Sequence, residues 1–455
     1  MLFSYYLKAQ ELITYPAPQA VIYSMHNDDY TVQVRIPGGE WKDVFEYNVK
    51  VDADKPTDAS MAFFDFSGSV EVNIQKNNGN FQAVKIRPAA TNIHLVKKEN
   101  TIQFTLKRAA KLSIEFDGDK LTNLHLFANN IEKNKPDSSA ADVMYFGPGV
   151  HYPKDTVLKA FVIPSGKKVY LDGSAILRGK ILCSNVTNVQ ISGRGIIDRA
   201  YRGVEVTDSK DVSIEGLTFI NPQHYTIYGG ASAQLKIDNI KTFSAKGWSD
   251  GIDLMSCSDV TINDVFMRNS DDCIAIYGHR WDHYGNARNY TITNAILWAD
   301  VAHPINIGIH GNTAHEGEII ENIHFENIDI LEHDEDDRDY QGCMAITSGD
   351  LNLVRNIHFE NIRVDDFQEG QLVNFRVVYN KKYNTGPGRG IENISLKNIS
   401  YTGRNANANV INGLDTDHMV TGISFENLRI NGKLILQPTA GNLKVGQFAK
   451  NISFK

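Results

Sequence analysis

Along the last two-thirds of this 455-residue chain one short pattern keeps returning: an apolar residue, any residue, a second apolar residue, two polar ones often ending in Asn, and a third apolar residue. It reads VSIEGL from Val212, LKIDNI from Leu235, VTINDV from Val260, IHFENI from Ile323 and again from Ile357, ISLKNI from Ile394 and ISFENL from Ile423, with weaker copies at Val189 and Tyr290. Between the second apolar positions (Ile191, Ile214, Ile237, Ile262, Ile292, Phe325, Phe359, Leu396, Phe425) the steps are 23, 23, 25, 30, 33, 34, 37 and 29 residues. A period of this length carrying strand-like alternation means a solenoid. Leucine-rich repeats would need Leu at fixed places and a helical segment, and neither is seen. A right-handed parallel β-helix fits, each coil giving two or three short strands stacked about 4.8 Å above the last. The recurrent Asn is read as structural, capping a bend in left-handed backbone and laddering with its neighbours.

Upstream, from about Pro16 to Glu132, short alternating runs (AVIYSMH, YTVQVRI, SVEVNIQK, AVKIRP, TIQFTLKR, LSIEFDG) are punctuated by Asn78-Gly79 and Asp117-Gly118. These are hairpin signals of an antiparallel sandwich. The polar stretch Asn134 to Asp142 reads as a linker. The expectation is therefore an all-β chain: a β-sandwich and linker over 10–142, then a β-helix over 143–455. Residues 1–9, MLFSYYLKA, look like the tail of a clipped export signal, which would make the protein secreted or periplasmic.

With 46 Lys+Arg against 54 Asp+Glu the net charge is −8, and no run of four cations occurs. Nucleic acid and anionic membrane surfaces, which need clustered positive charge, are excluded as partners. No apolar run approaches the ~18 residues of a membrane span. Cys183, Cys257, Cys273 and Cys343 are far apart, without CxxC or metal-spaced His, so no metal, cofactor or disulfide framework is expected. A monomer is expected.

The chemistry concentrates between Trp248 and His310, in WSDGIDL, NSDDCIAIYG and VAHPINIGIHG. Aligning the apolar pairs Ile252/Leu254, Ile274/Ile276 and Ile305/Ile307 places Asp250, Asp272 and His303 at one position on consecutive coils. Asp253, Ala275 and Asn306 share a second, outward column, and Asp271 adjoins the first. Stacked carboxylates cannot ionise independently, so at least one should keep its proton near neutral pH. One protonated acid beside one ionised base is the pairing that glycosidic hydrolysis needs.

The Asp-Gly, the Asp-Asp pair 21 residues on and the later His resemble the active site of the polygalacturonase-type β-helix hydrolases and their dextranase/isopullulanase clan relatives. The resemblance covers most of 146–455, and the lead-in Tyr145 to His151 after a sandwich is more similar to the dextranase side. It implies Asp271 as general acid, with Asp250 and Asp272 activating water on the opposite face. It also implies inversion, with carboxyl groups about 6.5–9.5 Å apart. Trp248 stands where polygalacturonases have Asn. Their substrate-binding Arg and Lys, one coil past the His, fall on Ala345 and Thr347, which argues against galacturonate at the cleavage subsite.

Further candidates border this set. The extended segment Gly278 to Tyr290 supplies His279, Arg280, Trp281, His283 and Tyr284 on an exposed loop, with Trp281 or Tyr284 as a sugar-stacking wall and Arg280 for a charged sugar. Gln223, with His224 beside it, aligns one coil before Asp250. The run His333 to Asp339 reads as a solvated rim. The leading expectation is a hydrolase of a polysaccharide or oligosaccharide. The rivals are a polygalacturonase-like pectin hydrolase, a β-helix lyase and a non-catalytic carbohydrate-binding solenoid.

Overall fold

The computed structural model describes residues 10–455; the segment read as a clipped export signal lies outside them. Among the described residues there is no α-helix, only three 3-10 turns between strands.

The apolar columns of the sequence become vertical stacks. Ile191, Ile214, Ile237, Ile262, Ile292, Phe325, Phe359, Leu396 and Phe425 are parallel register partners in turn, extended by Met144 and Val169 before them and Phe454 after. They belong to a 20-stranded sheet, and an 11-stranded parallel sheet closes the other side of a parallel β-helix. One continuous core of Ile, Val, Leu and Phe fills the space between the sheets. The bend is set as expected: Asn239, Asn294, Asn327, Asn361, Asn398 and Asn427 have φ between 51° and 58°. Their amides bond up the stack, Asn327 to Asn294 at 2.6 Å, Asn398 to Asn361 at 3.0 Å and Asn427 to Asn398 at 2.9 Å.

Two antiparallel-rich sheets of six and five strands, formed by residues between Glu11 and Asn130, pack face to face. The stretch AVIYSMH is not a strand. A 3-10 turn, Gln19–Val21, occupies its start, with Val21 and Met25 buried against the β-helix. The central strand Thr57–Ser67 has no sequence alternation because both its faces are covered. Ala62, Phe64 and Phe66 enter the sandwich core, while Ala59, Met61 and Phe63 pack with Ile176, Ile196 and Ile220 of the helix. Buried polar links fix the contact: Arg194 to Asp65 at 2.9 Å, Arg268 to Asn123 at 2.9 Å and Arg87 to the Leu331 carbonyl at 2.7 Å. Such links specify geometry more than they stabilise, since each desolvates a charge.

Candidate active site

Three strands of the 11-stranded sheet, Ile252–Met255, Ile274–Tyr277 and Ile305–Gly308, pair in parallel with Ile252, Ile274 and Ile305 in line. Asp250, Asp272 and His303 each stand two residues before those isoleucines and so stack on one edge. Asp253, Ala275 and Asn306 form the adjacent outward column. One carboxylate oxygen from each of Asp250, Asp271 and Asp272 lies within 4.8 Å of the others. Asp271 and Asp272 are chain neighbours on one coil, and Asp250 lies one coil before them, where stacking sets coils about 4.8 Å apart.

The four carboxyl groups here have different surroundings. Asp272 is nearly buried. Its Oδ1 accepts from His303 Nδ1 at 2.7 Å and from the His303 backbone N–H at 3.1 Å, and its Oδ2 accepts from Asn306 Nδ2 at 2.6 Å. Burial alone would raise its pKa, but the His303 charge and these bonds outweigh it and hold Asp272 below the usual carboxylate range. His303 is fully buried, and its Nε2 meets the Tyr340 carbonyl. A carbonyl and an ionised carboxylate can only accept, so both ring nitrogens carry protons. Against the cost of burial, Asp272 pushes the imidazolium up to about 9. His303 thus has both ring nitrogens engaged, with none left for a sugar.

Asp271 is half-buried. It accepts from Trp248 N–H at 2.8 Å and Asp272 N–H at 3.2 Å, yet burial and the neighbouring Asp272 charge raise it to about 6. Asp250 is buried with Oδ1 unpartnered, and Asp253 is fully buried with both oxygens unpartnered. Burial first, then repulsion from their acidic neighbours, raises both well above the usual range. Below about pH 6 the cluster therefore offers one anion, Asp272, among acids that keep protons. The three converging oxygens could also hold a hard cation, but those of Asp272 already serve His303 and Asn306.

The supporting residues were invisible in the sequence pattern. Asn269, fully buried, donates to Ser244 Oγ and the Ser249 carbonyl, both at 3.1 Å, and accepts from Thr242 at 2.7 Å, fixing the loop that carries Asp250. Beneath Asp271, Ser270 Oγ accepts from Ala53 N–H of the sandwich at 2.9 Å.

Several candidates take places other than those expected. Tyr225, not Gln223, is in register with Asp250, because the inward pair of that coil is Ile227/Gly229. A Cβ at Gly229 would meet Leu254 at 2.5 Å, so a glycine stands where the pattern has an apolar residue. Gln223 instead bonds Lys246 and the Asn221 carbonyl. The segment after Gly278 is no free loop but a hairpin, His279–Arg280 against His283–Tyr284, folded back over Gly230, where a Cβ would meet His283. Trp281 lies over Tyr225 and Tyr228, ring centres 5.5 and 5.8 Å away, with His224 at 5.7 Å. Trp248 stands beside His224 and is 56% exposed, so the two tryptophans rim the opening. Tyr284 turns away to stack on His315 at 4.7 Å, and half-buried His279 has an unpartnered Nδ1.

Arg280 is the main departure. Its guanidinium sits 4.9 Å from the Trp281 ring and 5.6 Å from those of Trp248 and Tyr277, bonds neutral His310, and partly offsets the raised pKa of Asp250 and Asp253. Its Nε is buried without a partner. Ala345 and Thr347 do follow Asn306 and Gly308 in register, so no cation stands at those two places. In the acidic run, His333 is buried and Asp334 nearly so, and only Glu335 to Asp339 form a rim.

Residues 180–445 match the model of a family described as glycosyl hydrolases family 28. A probable exopolygalacturonase B of Aspergillus niger is 26% identical over 177 residues, 36% of this chain and 38% of that protein. A probable polygalacturonase of Vitis vinifera is 30% identical over 127 residues, 24% and 26% of the two chains. The matches span less than two-fifths of these curated relatives. Among solved structures, Dex49A from Penicillium minioluteum superposes with a TM-score of 0.68 at 15% identity, covering 94% of each chain. A Yersinia enterocolitica family 28 exopolygalacturonase gives 0.53 at 12%, over 85% of this chain and 96% of that one. At such identities the structural likeness speaks to the fold.

Proposed function

The chain belongs to glycosyl hydrolases family 28, and from that premise we propose that it is an inverting hydrolase of a negatively charged polysaccharide, with Asp271 as general acid and Asp272 as general base. The observation that carries the roles is the asymmetry of the cluster: Asp272 held ionised by His303 and Asn306, Asp271 raised to about 6. Asp271 gives its proton to the glycosidic oxygen while Asp272 takes one from water as that water attacks the anomeric carbon. Asp250, neutral and one coil away, holds the water. A water bonded at ~2.8 Å to two oxygens spans roughly 4.5–5 Å, which suits the spacing here.

Arg280 supports the charge of the substrate. A desolvated guanidinium with an unpartnered Nε beside the rim tryptophans is a receptor for a carboxylate or sulfate. The names of the curated relatives point the same way. A polymer cannot cross a membrane, so a secreted or periplasmic location belongs to this reading. No described helix is long and apolar enough to span one.

The close approach of the three carboxyl groups, with one oxygen of each within 4.8 Å of the others, also suits a second reading, a retaining route with a covalent intermediate. NMR of the first product anomer from polygalacturonate, sulfated algal glycans and dextran decides between them. Inversion on an acidic polymer is expected, with Asp271→Asn losing at least ~100-fold in kcat. Initial release of the retained anomer excludes the proposed mechanism, and wild-type turnover by Asp271→Asn excludes the acid. An unsaturated, ultraviolet-absorbing product would instead identify a lyase.

A further inference from the structure

A groove of about 1200 Å³ lies away from the carboxylates, between the sandwich and the asparagine-bearing edge of the β-helix. Lys111 of the sandwich and Asp264 of the helix meet across it at 2.6 Å and tie its two walls together. Five Lys or Arg side chains and three carboxylates line it. Each carboxylate is already matched at 2.6 Å: Glu71 by Arg35, Asp264 by Lys111, Asp329 by Arg363. The two cations left over, Lys107 and Arg108, are exposed on the turn between strands Thr101–Leu106 and Ala110–Phe116, with no ion pair or hydrogen bond among the described residues. Trp41 is half-buried on one wall, with the Arg35 guanidinium 4.3 Å from its ring centre. The amides of Asn294 and Asn327 line the opposite wall.

We propose that this groove is an accessory binding site for an extended anionic polysaccharide strand. Its volume exceeds the roughly 300–1,000 Å³ of small-molecule pockets. A surplus of positive charge on a chain of net −8 selects an anion. Trp41, backed on one face by the Arg35 guanidinium, supplies an aromatic wall for sugar C–H groups. The polymer would be held beside the sandwich while a distant part of it occupies the catalytic cleft, adding affinity without any new contact at the carboxylates. The glycan character rests on the hydrolase reading; the anion preference rests on the groove alone.

The test uses the full chain carrying Asp271→Asn, so that polymer survives, with the cleft filled by saturating trigalacturonate, and measures binding of sodium polygalacturonate. Expected are about tenfold weaker binding in Lys107→Glu/Arg108→Glu, a smaller loss in Trp41→Ala, and weakening by salt in the parent. In the chain with Asp271 intact, the same groove variants should leave the rate on trigalacturonate unchanged. Polymer affinity unchanged by the charge reversal overturns the proposal. So does equal binding of neutral dextran, or of a DNA duplex that displaces the glycan. If no glycan is hydrolysed and the charge reversal still weakens polymer binding, the catalytic reading fails and the groove stands.

Discussion

The two long sheets of the β-helix share the same coils and the same apolar interior, and both stack polar side chains on their outer edges. They differ in what the stacks do for themselves. On the 20-stranded sheet most of the bend asparagines bond one another, Asn327 to Asn294, Asn398 to Asn361 and Asn427 to Asn398, and Asn239 alone of them keeps a buried carbonyl oxygen without a partner. On the 11-stranded sheet the corresponding stack is acidic, and Asp250 and Asp253 retain carboxylate oxygens with no partner in a buried setting. A ladder whose members satisfy each other is architecture. One whose members repel and are left unsatisfied is maintained against stability, as the proposed catalytic role requires.

The largest expected effect breaks the acidic stack at its support. His303→Gln removes the imidazolium that holds Asp272 ionised while leaving an amide of similar reach. Asp272 must be deprotonated to act as base, so activity rises with pH through its pKa. Without His303, burial and the charges around it push that pKa up. Asp271, at about 6, must stay protonated, so activity falls above that pH. The bell of kcat/KM against pH should therefore narrow from its acidic side, with a loss of roughly 100-fold at the optimum. A uniform loss with an unmoved acidic limb would leave His303 with a packing role only.

Much of this contrast was readable beforehand, for a physical reason: residues that face inward alternate with period two, and that alternation fixed the register of Asp250, Asp272 and His303. Where the alternation fails, so does the reading. Gly229 in an inward place shifted the alignment by two and put Gln223 where Tyr225 stands. The strand Thr57–Ser67 is buried on both faces and so carries no period at all. Arg280 was a candidate for a charged sugar from its place in the extended segment, but its burial among the aromatic rings was not readable, because the hairpin folds back over an earlier coil, an outcome of tertiary packing. Residues whose role is to hold the loop, such as Asn269, have no sequence signature beyond being polar inside an apolar run.

Asp253 sharpens the contrast with a change of sign. Its folded pKa is raised above the unfolded value, so the folded state binds the extra proton. The wild-type protein is then relatively more stable at low pH, and loses stability as pH rises above the unfolded value of ~3.9 toward the folded one, by up to about 1.4 kcal/mol per unit. Asp253→Asn does not titrate. Its denaturation midpoint should exceed that of wild type at pH 7, and the gain should shrink toward pH 4. A variant less stable than wild type at pH 7 would mean that Asp253 is ionised and satisfied in the fold.

The ladder side should respond in the opposite direction and more weakly. Asn361 holds φ of 58° and accepts the Asn398 amide at 3.0 Å on an exposed edge. Alanine there keeps a Cβ in left-handed backbone without the polar side chain that lets Asn tolerate it, and removes the bond, together costing ~1–2 kcal/mol. Glycine removes only the bond and should cost less, because it enters that backbone region freely. Urea midpoints of Asn361→Ala and Asn361→Gly should therefore rank Ala below Gly below wild type, with hydrolysis unchanged in both. If glycine costs as much as alanine, the side-chain ladder and not the backbone bend holds that edge. If either variant loses activity, the two stacks are coupled through the core, and the division between an architectural edge and a working edge does not hold.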